Sequence, residues 1–288
     1  GKALAAALRQ SESIATYLEG VGTNSPSGNR LPLVAVPTTA GTGTEATYNA
    51  VLSEVGEHGY KKSLRHIRYV PDVAIIDPTL HLTCPRDATA ASGLDAIAQL
   101  LEAFVSTKAN PLTDALALDG LAAAGRSFSR AVERGESDLD ARAGMAYAAH
   151  LSGRCLANAG LGVVHGLAGP AGGHSTVPHG VFCGLLLGPA TDMMVERLIK
   201  KRDVVGVLGK LAAAGRVITG RAAGSMEGNI QMLLERLEEF ARIGDLPRLD
   251  SFGLDKTTID IIASEGNSKN SPVEFNESER AELLARGL

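Results

Sequence analysis

The sequence predicts an α/β protein in which a partial parallel-sheet domain over residues 1–83 precedes an all-helical domain over residues 84–288. Up to about residue 83, short apolar runs alternate with loops. Continuous apolar runs of this length suit parallel strands that are covered on both faces. From about residue 84 onward Ala, Leu, Arg and Glu dominate and strand signals almost vanish, which favours helices.

One helix and two strands are predicted in the first domain. The opening residues, GKALAAALRQ, have the composition and spacing of an amphipathic helix. Leu33 to Val36 read as a buried strand that enters a Gly/Thr-rich turn, and Val73 to Pro78 read as a second strand. Because the chain begins with a helix and no strand precedes it, we expect the N-terminal part of this domain to be missing.

Local signals place the helices of the second domain. One helix begins near Ser92, and the next opens at Asn110-Pro111, since Asn is a good N-cap and Pro suits the first helical position. A long helix over residues 139–160 stops at Gly160, a typical C-terminal glycine. Two further helices are predicted over residues 226–244 and, after a polar loop, at the C-terminus.

Composition excludes several classes of protein. The 288 residues are 44% hydrophobic and carry a formal net charge of -4 without a basic run, which argues against nucleic acid as a partner. No stretch approaches the roughly 20 apolar residues needed to cross a bilayer, so no membrane partner is expected. Cys84, Cys155 and Cys183 are scattered without CxxC spacing, and a reducing cytoplasm is the expected compartment.

Three polar residues on the first long helix are candidates for chemistry. Asp95 and Gln99 are four residues apart, so a helix presents both on one face, and Glu102 follows one turn later. Their helix is rich in Leu, Ile, Ala and Phe, and polar groups buried there need partners. A solvated helix face is the alternative interpretation.

Two histidines in glycine-rich surroundings are candidate metal ligands. His165 lies in GLGVVHGLAGPAGGH and His179 in VPHG. Neutral imidazole is the commonest metal ligand among side chains, and histidine with carboxylate suits Fe(II) or Zn(II). With one open position, such a site can polarise an alcohol oxygen. Taken singly, either histidine is more often a surface residue or a satisfied core residue than a metal ligand.

The segment PTTAGTGTE, residues 37–45, is a candidate phosphate cradle. It joins a strand to a predicted helix start, its glycines allow close backbone approach, and its threonines can donate hydrogen bonds to phosphate. It matches neither GxGxxG nor the P-loop pattern. An ordinary strand-to-helix loop is the alternative.

Taken together and in order, four segments resemble the iron-containing (group III) alcohol dehydrogenase family. They are PTTAGTGTE, PDVAIIDP, GLDAIAQLLEAFVSTKANPLTDALAL, and GLGVVHGLAG followed by VPHG. The resemblance runs along nearly the whole chain. It implies a Rossmann-like remnant followed by an all-α metal-binding domain, the architecture shared with dehydroquinate synthase, and it implies a homodimer.

The resemblance also implies a ligand set for Fe(II) or Zn(II). The family holds its metal by one Asp and three His. Three of these positions fall on Asp95, His165 and His179, whereas the remaining histidine is Gln99 here. A second departure is Gly169, where many relatives carry a histidine that relays protons.

For the cofactor, the resemblance implies NAD or NADP lying between the two domains. The segment that carries the family's Gly-Gly-Gly-Ser loop and that chooses between the two cofactors is not part of this chain. Lys61 is an alternative to Lys62, because the loop length is ambiguous. The residues implied to contact the cofactor are Thr38, Thr39, Thr42, Val51, Lys62 and Leu80.

The resemblance implies reversible hydride transfer between an alcohol and NAD(P), with an aldehyde or ketone as the other product. Three alternatives remain open. One is a lyase resembling dehydroquinate synthase, or a glycerol dehydrogenase. Another is a metal-free reductase that resembles maleylacetate reductase. This alternative is kept because Gln99 replaces a histidine ligand of the family. The last is an inactive metal-binding remnant that lacks a complete cofactor site.

Overall fold

The first part of the chain forms two small sheets. The computed structural model describes residues 1–56, 58–202 and 206–288. β1 pairs with β4 in parallel, and β2 pairs with β3 as an antiparallel hairpin. The α-helix and strands described before residue 84 are α1 (Lys2–Ala7), β1 (Val34–Ala35), β2 (Asn49–Glu54), β3 (Tyr60–Arg65) and β4 (Val73–Ala74).

The parallel pair forms where it is predicted, but it is shorter and less buried. Only two residues of each predicted run are paired, with Val34 opposite Val73. Val34 is 56% exposed and Val73 is 48% exposed. The prediction that both faces of these strands are covered is therefore wrong for the described residues, since no second layer buries their apolar side chains.

The hairpin of β2 and β3 has no counterpart among the predicted strands. It packs against the helix that carries His165, since both of its strands contact that helix. The backbone N–H of Gly56 also donates to the carbonyl of Gly173 at the end of that helix, at 3.1 Å. The hairpin thereby carries Lys61 toward the helical part of the chain.

Nine α-helices follow in the described residues beyond 84. The first begins at Arg86, earlier than the predicted start near Ser92, because Pro85 at the N-cap is extended and the helix can begin directly after it. The helices are α2 (Arg86–Val105), α3 (Pro111–Arg134), α4 (Leu139–Ala159), α5 (Val163–His174), α6 (His179–Lys200), α7 (Val207–Thr219), α8 (Met226–Gly244), α9 (Lys256–Glu265) and α10 (Glu277–Ala285).

Helix ends follow the local signals in the sequence. The Asn110 side chain accepts hydrogen bonds from the backbone N–H of Leu112 and Thr113, and Thr113 completes a capping box. α4 ends at Gly160, whose φ of 69° lies in the region that glycine adopts without strain. α8 begins and ends where its apolar spacing predicts.

α2 is the central helix of the helical core. It packs against α3, α4, α6 and α8, and every residue from Gly93 to Val105 is buried. Asp95, Gln99 and Glu102 all lie in this stretch, so the alternative of a solvated helix face is wrong. Among the described helices, none combines the length and the apolar character that a membrane span needs.

Candidate metal centre

Four side chains from three helices meet at one point in the helical core. α2 contributes Asp95, α5 contributes His165, and α6 contributes His179 and Cys183. One potential ligand atom from each lies within 4.8 Å of all the others. His179 and Cys183 are four residues apart on α6 and therefore share one helix face. Gln99 has the same relation to Asp95 on α2, but it is not one of the four.

Asp95 is the shared neighbour of both histidines. Its Oδ1 lies 3.1 Å from His165 Nε2 and 3.6 Å from His179 Nε2. The two imidazole rings are edge to face, with centroids 5.4 Å apart. Asp95 is 2% exposed, so its carboxylate depends on these neighbours for compensation.

Glu102 fixes the orientation of His165. Its Oε2 lies 2.7 Å from His165 Nδ1, and its Oε1 accepts from the backbone N–H of Val164 at 2.7 Å. The second contact satisfies a free N–H in the first turn of α5. The first contact places the Nδ1 proton toward Glu102, which leaves the Nε2 lone pair facing Asp95. This is the carboxylate–histidine arrangement found behind metal-bound histidines.

The hydrogen bonds of this cluster leave a position for a cation. When His165 is neutral and its Nδ1–H donates to Glu102, Nε2 carries no hydrogen, yet Nε2 stands 3.1 Å from a carboxylate oxygen. Two acceptors this close need a proton or a metal ion between them. Two imidazoles and one carboxylate suit Fe(II) or Zn(II), so the residues present fit such an ion.

The pKa shifts in the cluster are consistent with the need for a proton or a metal ion between Asp95 and His165. Although burial opposes the charged form, the neighbouring His179 and His165 lower the pKa of Asp95 below its ordinary value. Burial also opposes an imidazolium at His165, but contacts with Cys183, Asp95 and Glu102 raise its pKa well above the ordinary value. Burial lowers the pKa of His179 to about 4. The site therefore keeps one carboxylate charged and favours positive charge beside it.

Gln99 lies in the same buried stretch and is held by α4. Its Oε1 lies 3.1 Å from Ser152 Oγ, and both residues are buried. The Ser152 hydroxyl also contacts the carbonyl oxygens of Ala149 and Gly41, at 2.7 and 3.2 Å. Gln99 is therefore part of a hydrogen-bonded contact between α2 and α4 as well as a neighbour of the cluster.

Cys183 was not predicted as a site residue, and Lys61 was predicted only as the alternative to Lys62. Cys183 is fully buried beside both histidines, and its spacing of four residues from His179 on one helix is the signal that points to it. Lys61 Nζ lies 3.1 Å from His179 Nδ1, and burial lowers the pKa of this lysine. Lys62, the next residue on β3, is exposed, since neighbouring strand residues point to opposite faces.

A cavity of about 470 Å³ opens onto the cluster. Its lining includes Gln99, His165 and His179 from the helices and Lys61 from the hairpin. Two of the cofactor-binding candidates, Thr42 and Val51, also line it. The six candidates, Thr38, Thr39, Thr42, Val51, Lys62 and Leu80, are all exposed.

The glycines of the segment 37–45 have a packing role in the described structure. A side chain at Gly43, where φ is 61°, would collide with the carbonyl of Ala149 and the backbone of Gly153 on α4. The segment continues into a single turn of 3-10 helix, Thr44–Ala46, and not into an α-helix. Thr42 Oγ1 lies 3.3 Å from Asp95 Oδ2, so the loop also contacts the cluster.

Comparison with known families accounts for almost the whole chain. The model for the C-terminal domain of the Fe-containing alcohol dehydrogenase family matches residues 89–286, and the model for iron-containing alcohol dehydrogenases matches residues 1–78. The chain belongs to the iron-containing alcohol dehydrogenase family. The predicted resemblance is thereby confirmed.

Curated members of this family are similar over most of the chain. Long-chain-alcohol dehydrogenase 1 of Geobacillus thermodenitrificans is 33% identical over 255 residues, which cover 88% of this chain and 61% of that protein. The 1,3-propanediol dehydrogenase of Klebsiella pneumoniae is 34% identical over 265 residues, covering 89% of this chain and 65% of that protein. The chain thus spans less than two thirds of the length of these relatives.

Solved structures of the iron-containing alcohol dehydrogenase family have the same fold. The crystal structure of 1,3-propanediol oxidoreductase superposes with a TM-score of 0.86 at 31% identity, over 100% of this chain and 73% of that one. An alcohol dehydrogenase from Oenococcus oeni superposes with a TM-score of 0.82 at 28% identity, over the same shares of the two chains. The predicted fold class is confirmed.

Proposed function

We propose that this protein is an NAD(P)-dependent oxidoreductase that interconverts an alcohol and an aldehyde or ketone at a divalent metal site, with Fe(II) or Zn(II) as the ion. The observation that carries the proposal is the convergence of Asp95, His165 and His179 inside a family of alcohol dehydrogenases. Gln99 stands at the position of the family's remaining histidine ligand and lines the same cavity.

The chain's own residues hold and orient the reacting groups. When bound, the divalent ion supplies a Lewis acid that polarises the alcohol oxygen, and NAD or NADP supplies the hydride acceptor. Asp95 supplies negative charge to the ion. Glu102 holds His165 in the tautomer whose Nε2 is free. The cavity beside His179 gives the substrate a place next to the cluster.

The proposed cofactor residues are Thr38, Thr39, Thr42, Val51, Lys62 and Leu80. The positions of Thr42 and Val51 on the wall of the cavity support this assignment for two of them. Lys61 is the alternative to Lys62, and its contact with His179 favours it as the lysine near the reacting centre. We further propose a domain boundary near residue 83, a homodimer and a cytoplasmic protein.

Turnover tests the proposal directly. The chain is loaded anaerobically with Fe(II) or with Zn(II) and mixed with NADH or NADPH and a panel of aldehydes. Because the relatives are named for 1,3-propanediol and for long-chain alcohols, the panel includes 3-hydroxypropanal and a long-chain aldehyde. We expect oxidation of the reduced cofactor that disappears on chelation and in His179→Ala. The matched control is Asp87→Ala, since Asp87 is an exposed carboxylate on the same helix as Asp95.

The other outcomes select the alternatives. Turnover that survives chelation identifies a metal-free reductase, which the hydrogen bond between Gln99 and Ser152 favours because it gives Gln99 a role without an ion. One bound metal ion per chain without turnover identifies a metal-binding protein whose cofactor site is incomplete.

A further inference from the structure

We propose that the thiolate of Cys183, and not the amide oxygen of Gln99, is the fourth protein ligand of the metal. The inference rests on the proposed function, because it concerns the same ion. It changes the donor set from one that is purely nitrogen and oxygen to one that contains sulfur. Sulfur is the softer donor and favours Zn(II) over harder ions.

Position is the first argument for Cys183. Its Sγ lies 3.7 Å from His165 Nε2 and 3.8 Å from His179 Nε2. It also belongs to the group whose ligand atoms all lie within 4.8 Å of one another, together with Asp95. Two imidazole nitrogens, one carboxylate oxygen and one thiolate are donors that zinc accepts, and because zinc can expand to five ligands the substrate oxygen would still have a place.

The surroundings of the sulfur are the second argument. Cys183 is fully buried, and among the described residues its Sγ lies within 3.7–3.9 Å of ring nitrogens of His165 and His179. Each of these histidines is itself a candidate ligand. The thiol therefore points at the position of the ion, and it releases its proton to solvent when the metal binds.

The competing donor lies beside α4 as well as beside the cluster. Gln99 Oε1 lies 3.1 Å from the Ser152 hydroxyl, which has one hydrogen to share between this oxygen and the carbonyls of Ala149 and Gly41, at 2.7 and 3.2 Å. An amide oxygen is a weak donor beside a thiolate for Fe(II) or Zn(II). Gln99 is thus a positioning residue between α2 and α4.

X-ray absorption spectroscopy at the zinc edge of the unaltered protein shows whether sulfur is among the ligands. With one Zn(II) bound per chain, we expect one sulfur scatterer at about 2.3 Å beside nitrogen and oxygen at about 2.0–2.1 Å. A fully loaded site with nitrogen and oxygen scatterers alone overturns the thiolate inference and leaves the proposed metal site standing. A chain that binds no metal overturns the proposed metal site itself.

Variants assign the sulfur to one cysteine. In the Co(II)-loaded chain, thiolate ligation gives a near-ultraviolet charge-transfer band. We expect Cys183→Ser to lose this band and to bind Co(II) at least about tenfold more weakly, whereas Cys84→Ser and Gln99→Ala keep it. Cys84 is a half-buried cysteine outside the cluster and is the matched control. A band that persists in Cys183→Ser overturns the assignment. Should that variant fail to fold, the zinc-edge spectrum of the unaltered chain still decides it.

Discussion

The two parts of the chain differ in how completely they bury their apolar side chains. The helical part has one large core in which Leu94, Phe128 and Leu167 are almost fully buried. In the first part, the buried cluster is small and consists of Ala6, Tyr17, Leu18, Leu64 and Tyr69. Val34 and Val73 of the parallel pair stay about half exposed.

This difference separates the two halves of the proposed active site. Asp95, His165 and His179 stand on helices of the large core, where close packing leaves side chains little freedom. The proposed cofactor residues stand on exposed segments of the first part. The proposed metal ligands are therefore held by the core, and the first part of the chain meets them through Thr42 and Lys61.

The largest expected effect is on the stability of the helical core. Phe128 is fully buried and packs against Phe240 in a tilted arrangement with ring centroids 4.8 Å apart. We expect Phe128→Ala to lower the free energy of unfolding by about 3–5 kcal/mol, because it removes apolar contacts and leaves a cavity. Urea unfolding followed by circular dichroism measures this. Ile67→Ala, at a 70% exposed residue of the first part, is the control, and an equal loss in both would show that the two parts do not differ.

The next effect concerns the orientation of His165. Glu102→Gln keeps the shape of the side chain but removes the charge that holds the Nδ1 proton. We expect metal affinity to fall about 10–100-fold, measured by isothermal titration with Zn(II). Glu265→Gln is the matched control, because Glu265 forms a similar pair with His174, at 3.0 Å, on the surface. Unchanged affinity in Glu102→Gln would mean that the core packing alone orients His165.

The smallest effect is expected in the parallel pair. Val34→Thr introduces a hydroxyl where the side chain already meets water, so the free energy of unfolding should change by no more than about 0.5 kcal/mol. The same replacement at Val132, which is 3% exposed on α3, should cost about 1–3 kcal/mol. Thermal or urea unfolding measures the free energy of unfolding of both variants, which carry the same replacement at an exposed and at a buried position. A large loss at Val34 would show that this strand is covered in solution.

Sequence predicted the features whose causes are local. The N-cap at Asn110 and the end of α4 at Gly160 follow from a few neighbouring residues. The presence of Asp95 and Gln99 on one helix face follows from helical periodicity alone.

Features that depend on which elements meet were harder to predict. The inclusion of Cys183 requires α2, α5 and α6 to converge, and the contact of Lys61 with His179 requires the hairpin to pack on α5. The hairpin itself lacks a strong apolar alternation, since Leu64 is the one buried residue among Tyr60–Arg65. Its pairing is set by tertiary contacts.

The glycines of the segment 37–45 can be explained in two ways. Close backbone approach was interpreted as room for a phosphate, yet Gly43 is required where the segment packs on α4. A bound ligand and a neighbouring helix both exclude a side chain when they lie close to the backbone. The sequence alone therefore does not tell which of the two requires the glycine.

The central claim is that one divalent metal ion binds at Asp95, His165 and His179, and metal content tests it most directly. The chain, Asp95→Ala and Asp87→Ala are each loaded with Zn(II), freed of excess metal by gel filtration and measured by mass spectrometry of the element. We expect one ion per chain in the unaltered protein and in Asp87→Ala, and loss of the ion from Asp95→Ala during gel filtration. A metal-free unaltered chain, or one that keeps its ion in Asp95→Ala, would contradict it.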